Sequence, residues 1–408
     1  VHRDVFLKHN MAINAVLLNF AVATGEVPYW TAPGTQGTAC SVFSGSAWTQ
    51  DVSMFPVHPN SSNYVSGYGF GILKSLHAAF GTTYNGEPNG FMVETVETDD
   101  STPRVPVNMS GGAVAESDCV LYPLTQRTGI EGCFRNGTVG CEPKFPAGGG
   151  DRHVIVVDER TCVLHELFSA VARAAPPPPL APLNAPPLWS AYGGSTFNMH
   201  WHGLTTDQRR PRCWTSADAA GLPIFPGLVQ YDEVYGVGAV EHALRVTAKF
   251  TVRFPGRTPG YTAHTRSCHV SFSLSFSLSL APSLVRFKRL TTSLGHSLPQ
   301  REAFIPPASH YTYSGGKNYT YPAMGLRLRM KADYDCTATV EMRDSIPVQV
   351  LCRAMKKYGL IVADNGEAWD LSGTFDERWD DNALHMLVEI KGDAFEAVYT
   401  GEAEEGGC

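Results

Sequence analysis

The residues best suited to chemistry in this 408-residue chain are acidic. Asp218 stands in WTSADAAGLP, Asp232 and Glu233 in QYDEV, Asp364 in VADNG, and Asp380 and Asp381 in RWDD. Hydrolysis of a glycosidic bond needs two carboxyl groups, one kept neutral as an acid and one ionised. Trp214 shortly precedes Asp218, and Trp379 adjoins Asp380; an indole can stack on a sugar ring. His310, in PPASHYTY, has the side chain of a general base or of a group that holds a carboxylate. The candidate catalytic set is therefore Asp218, Asp232, Glu233, His310 and Asp381, with Trp214 and Trp379 as substrate contacts. Each carboxylate also has a plain structural use. Asp218 suits a turn, Asp364-Asn365-Gly366 is a turn signature, and Asp380-Asp381 can cap a helix that starts near Asn382.

A second set is His200-Trp201-His202-Gly203. Two histidines at i and i+2 of a strand share a face and can share a metal. HWHG looks like one copper-ligand motif of multicopper oxidases, which use four such pairs. This chain offers one, so no cofactor is expected, with a divalent metal or copper at His200 and His202 as the distant alternative. Arg327 and Arg329, in GLRLRMK, lie on one face of an alternating strand and could bind an anionic group such as a uronate or sulfate. The competing reading is a solvated sheet face. Other chemistries lack their motifs: there is no G-x-S-x-G elbow, no phosphate-cradling GxxxxGK[ST], and no GxGxxG after a strand.

The elements that must position these groups are mostly strands. Arg152–Val157 and Cys162–Leu167, joined by a polar turn, predict a hairpin. Further strands are expected within His242–Val252, at Gly325–Lys331 (half-buried), at Leu360–Ala363 and at Ala394–Tyr399. Ser345–Tyr358 predicts the best helix, with Asp344 or Ser345 as cap, Pro347 in the first turn, a stripe of Ile346, Val350, Leu351 and Met355, and Gly359 as its stop. Short helices are expected at Ser216–Ala220 and Ala383–Val388. Val154, Ile155, Val156, Leu164, Leu244, Leu326, Leu328, Ile361 and Val362 are the expected core. The fold class is α+β, mainly antiparallel β with a sandwich-like core and two or three peripheral helices.

Several blocks along the chain resemble an uncharacterised family of secreted, mostly prokaryotic proteins. They include GDRHVIVVD (Gly150–Asp158), CWTSADAAGLPIFPGLVQYDEV (Cys213–Val234), PAMGLRLRMKADYD (Pro322–Asp335), MKKYGLIVADNG (Met355–Gly366) and RWDDNALH (Arg378–His385). The resemblance runs collinearly over most of residues 50–398. It implies kinship and an extracellular setting, and it carries over no catalytic residue.

Two stretches depart from that pattern. Residues 174–187 hold seven prolines and favour extended polyproline II. Residues 267–300 hold nine serines and no acidic residue, including the alternation SFSLSFSLSL. Both are read as insertions into one β region, 150–408. A turn-rich β region, 24–149, precedes it, and residues 1–23 read as a signal peptide with an incomplete start.

Composition and compartment agree with export. Ten cysteines occur without a CxxC pair, which suits disulfides better than zinc. Cys133 and Cys141 are close enough in sequence to close a small loop. Asn60, Asn108, Asn136 and Asn318 each begin an N-x-S/T acceptor. With 32 basic against 39 acidic residues the chain is not built to neutralise nucleic-acid phosphates, and no apolar run is long enough to span a membrane. The sequence therefore points to a secreted or cell-surface glycoprotein with extracellular polysaccharide as partner. Three readings stay open: a carbohydrate-active hydrolase with paired carboxylates, a non-catalytic polysaccharide-binding or wall protein, and, distantly, a copper-type oxidoreductase.

Overall fold

The computed structural model describes residues 45–99, 102–110, 112–125, 128–133, 151–173, 188–199, 210–252, 302–311, 321–401 and 404–405. The expected signal peptide, both expected insertions, His200, His202, Cys141, Asn136 and Asn318 lie outside these residues.

Strands dominate, in three mixed sheets with few helices. The first sheet has six strands in the order His77–Ala78, Asp370–Leu371, Leu244–Ala248, Leu360–Asn365, Arg327–Met330 and Phe395–Val398. The second has four: Leu121–Tyr122, Val105–Met109, Leu188–Ala191 and Val171–Arg173. The third also has four: Gly193–Asn198, Val163–Phe168, Val154–Asp158 and Val93–Val96. Most pairings are antiparallel, including the expected hairpin, where Val154 opposes Leu167 and Val157 opposes Leu164. Parallel pairings join Leu244–Ala248 to Leu360–Asn365, and Val93–Val96 to Val154–Asp158.

The third sheet lies between the other two. Val154, Val156 and Leu167 share one apolar cluster with Val105, Val107, Met109, Trp189 and Ala191 of the second sheet. Ile155, Val157 and Leu164 join the larger cluster, which includes Leu244, Val246, Leu328 and Val362 of the first. A strand covered on both faces has no polar face to alternate, and so the run VIVVD is buried throughout. All nine expected core residues are buried.

The long helix is Ile346–Lys357. Ser345 caps it by accepting from the Val348 N–H (3.3 Å), and Pro347 occupies the first turn. Its buried stripe includes Val348, Val350, Leu351 and Met355, whereas Ile346, at the first position of the helix, is 51% exposed. Gly359 ends it at φ +71°, where a Cβ would fall 2.1 Å from the Leu328 carbonyl oxygen. The helices Ser61–Ser66, Val340–Asp344 and Asp381–His385 are short. Ser216–Ala220, expected as a helix, is instead a turn. The Ser216 hydroxyl accepts from the Asp218 N–H (2.9 Å), and such local bonds compete with a helical ladder.

A disulfide joins Cys336 to Cys352, fixing the segment before Val340–Asp344 to the long helix. Closing a loop of that size restricts the unfolded chain and is worth about 3 kcal/mol. Cys336→Ser with Cys352→Ser should therefore lower the melting temperature by several degrees while leaving the far-ultraviolet spectrum native. An unchanged melting curve would show that the bridge stabilises nothing.

Candidate functional site

Of the predicted carboxylates, Asp218 and Asp364 belong to a charged layer and Asp232 to an open cleft. The charged layer fills the space between the first and third sheets. Arg245 rises from the strand Leu244–Ala248 and is 4% exposed. Its Nε donates to Asp218 Oδ2 and its Nη2 to Asp218 Oδ1, both at 2.8 Å. The same guanidinium reaches Ser372 Oγ (2.6 Å) and Asp364 Oδ2 (3.2 Å) and lies 5.5 Å from the Phe91 ring centroid. Burial, then the negative charge of Asp218, pushes Asp364 up to about 8 against the pull of Arg245.

Two further groups complete this layer. Glu166, fully buried on the third sheet, accepts from the Ile224 and Phe225 N–H groups through Oε1 (2.9 and 3.0 Å). Its Oε2 meets no donor. Burial pushes Glu166 up to about 8, the two amides oppose the shift, and Asp218 adds to it. His153 sets Nδ1 2.6 Å from Glu131 Oε2 and Nε2 3.1 Å from the Ala217 carbonyl. Burial alone would lower its pKa; the Glu131 carboxylate overrides that and lifts it to about 9. Two acceptors face the ring, so both nitrogens carry protons and donate.

Asp218 thus has no exposed surface and gives both oxygens to Arg245. A carboxyl group sealed in this way, with both oxygens held by a guanidinium, has no access to a bound substrate.

The open cleft encloses about 360 Å³. Val93, Thr95 and Val157 of the third sheet form one wall with Glu159 of the hairpin turn; Phe225, Gln230, Tyr231 and Asp232 form a second; Thr374, Phe375, Asp376 and Arg378 close it. Arg378 holds the polar side together. Its Nη1 donates to Asp232 Oδ1 (2.8 Å), while Nε and Nη2 grip Asp376 (2.9 and 2.6 Å). The guanidinium also lies 4.1 Å from the centroid of Tyr231, which stacks on Tyr235 at 4.8 Å. Asp232 is 75% exposed at its side chain, in the first turn of the π-helix Asp232–Val237.

The other predicted residues have their own places. Trp379 is 4% exposed; its ring stands edge-on to Tyr231 and its Nε1 donates to the Thr374 carbonyl, so it backs the cleft wall and offers no face to a sugar. Glu233 accepts from the Gln230 N–H (3.1 Å) and from His242 Nε2 (3.2 Å). Burial would lower His242, but Glu233 holds it above its ordinary value. Asp381 receives the Thr82 N–H (2.9 Å) and hydroxyl, and Asp380 caps the following helix through the Asn382 and Ala383 N–H groups. His310 meets the Ala219 carbonyl through Nδ1 (2.8 Å), with Nε2 3.8 Å from Glu116; burial lowers its pKa although Glu116 opposes this. Trp214 is half-buried beneath the Arg210 guanidinium, 5.5 Å from its ring. Asp232 is therefore the one predicted carboxylate that lines the cleft.

Arg327 and Arg329 correct the expectation of a half-buried strand with a solvated arginine face. All of Arg327–Met330 is buried. Arg327 donates to the Ala47 carbonyl, and Arg329 to the Val52, Ser53 and Phe55 carbonyls and to Glu396 (2.6 Å to Oε1). The chain between Ala47 and Phe55 crosses this sheet face, and the two guanidiniums satisfy its carbonyls.

Sequence reading passed over Arg245, Glu166, His153, Tyr231 and Arg378. For the first three a signal exists: HALRVT, CVLHELF and RHVIVV each set a charged or titratable residue inside or against an apolar strand, where it must find a buried partner. Arg378 has one acid partner close by, Asp376, but nothing local marks its cleft partner Asp232, which lies far away in sequence.

Among the described residues no group of three or more His, Cys, Asp and Glu side chains converges as a metal site needs, and no helix is long and apolar enough to cross a membrane. Compared with known proteins, the chain matches no family model, no curated protein and no solved structure.

Proposed function

We propose that this is an extracellular, non-catalytic polysaccharide-binding protein, related to the secreted family its sequence blocks resemble, with the cleft around Arg378 as ligand seat. One observation carries the reading. The cleft is open, walled by Tyr231, and lined with the hydroxyl, amide and charged groups that bond sugar hydroxyls, yet Asp232 and Asp376 are both tied to Arg378. A glycosidase needs one carboxyl kept neutral in an apolar setting. The two carboxyls that burial pushes up to about 8, Glu166 and Asp364, do not line the cleft.

The test is incubation with a panel of plant, algal and bacterial wall polysaccharides, reading co-sedimentation and new reducing ends together. Retention without new ends is expected. Arg378→Ala and Tyr231→Ala should each weaken retention about tenfold, the equivalent of 1.4 kcal/mol. New reducing ends that vanish in Asp232→Asn or Asp376→Asn would install the hydrolase instead. Absence of retention on every polymer would remove polysaccharide as the ligand.

A further inference from the structure

Four acceptor tripeptides for N-linked glycans stand in the sequence, and neither of the two described acceptors, Asn60 and Asn108, lines the cleft. Asn60 is half-buried before the helix Ser61–Ser66, and its amide oxygen already accepts from Asn63 Nδ2 (2.5 Å). Asn108 is different. It lies in the strand Val105–Met109, whose burial alternates, with Val105, Val107 and Met109 inward and Pro106 and Asn108 outward. Ser110, the hydroxyl residue of the tripeptide, is also exposed and follows on the same face, two residues along.

Asn108 pairs with Ser190 on the neighbouring strand. Leu188, two residues before Ser190 on the same strand, shares that face and is 57% exposed. Half-buried Val171 opposes Ser190 on the next strand, and exposed Pro106 precedes Asn108. Leu188 is the large exposed apolar side chain of this face, which it shares with the polar Ser110, Ser190 and Arg173.

We propose that Asn108 carries an N-linked oligosaccharide, and that its first sugars cover the exposed Leu188 on the neighbouring strand. In the covalent step the Asn108 amide nitrogen bonds to the anomeric carbon of an oligosaccharide carried on a polyisoprenyl pyrophosphate. The carbon–oxygen bond to the pyrophosphate breaks, the lipid pyrophosphate leaves with the electron pair, and the amide gives up one proton. Nothing is oxidised or reduced. The cleft and its ligand play no part in this site.

The test expresses the full chain behind a secretory leader in a eukaryotic host. Peptide-releasing glycosidase treatment in heavy-oxygen water then labels each occupied asparagine. Label at Asn108 is expected, together with loss of one glycosidase-sensitive mobility step in Asn108→Gln and in Ser110→Ala. The second variant keeps Asn108 itself and so separates loss of the acceptor motif from any change in folding. Removing the glycan from folded protein should raise binding of a hydrophobic dye, and Leu188→Thr should suppress that rise. An unlabelled peptide with Asn108 intact would overturn the site. Label at Asn108 with dye binding unchanged on glycan removal would overturn the covering role.

Discussion

Arg245→Met is expected to cost about 3–5 kcal/mol, the loss that follows when one partner of a buried ion pair is removed. Domains are stable by only about 5–15 kcal/mol, so the variant should sit near the edge of unfolding. The cause is specific. Asp218 has no exposed surface and depends on Arg245 for both oxygens, and Asp364 shares the same guanidinium. Without it, the sealed Asp218 is left beside the part-exposed Asp364 with no cation between them. Urea denaturation of Arg245→Met, Asp218→Leu and the double variant checks this. The double variant should be more stable than the sum of the two losses allows, because the orphaned carboxylate goes with its partner. Strict additivity would show that the two side chains act independently and would sink the account.

Thermal stability should fall as the pH rises from the acid side through 9. Three groups set the sign. Glu166 moves from 4.5 in the unfolded chain up to about 8 when folded, and Asp364 from 3.8 to about 8. Each binds its proton more tightly when folded. Their contribution is fully present below the unfolded value and is lost as the pH climbs through the folded one. His153 moves the same way, from 6.5 to about 9, so its contribution is lost over that window. Glu131, lowered from 4.5 because His153 outweighs burial, acts oppositely and loses its contribution on acidification. The melting temperature should therefore peak near about pH 4 and decline by several degrees by about pH 9. Glu166→Gln isolates one group. An amide oxygen can take the same two N–H bonds and carries no charge at any pH. The variant should show a flatter decline between about pH 5 and 8 and match or exceed the wild type at the alkaline end. A decline as steep as the wild type's would remove Glu166 from the explanation.

Local signals specify an element when the residues that decide it are neighbours in the chain. The hairpin Val154–Asp158 with Val163–Phe168 was legible because β-branched runs flank a polar turn. The helix Ile346–Lys357 was legible because its cap, first-turn proline, stripe and terminal glycine are all local signals. The cap at Asp380 was legible for the same reason. In each case the residues that decide the structure lie within one or two turns of each other.

Tertiary structure alone decided the rest, because the deciding partner lies far along the chain. Alternation in GLRLRMK implies one wet face, until Ala47–Phe55 crosses that face and claims both arginines. Trp379 next to two aspartates reads as a sugar platform, until Phe80, Tyr231 and Tyr235 close around its ring. Asp218 and Asp232 look equivalent in sequence. One is sealed by Arg245 from a strand of the first sheet, and the other is held at the surface by Arg378. The sequence by itself determined the strand-rich class, the core residues and the helix ends, since propensity and periodicity are properties of neighbours. Which charges meet, which are desolvated and which remain open to a ligand was decided only by long-range packing, since desolvation and Coulomb energy depend on distance in space.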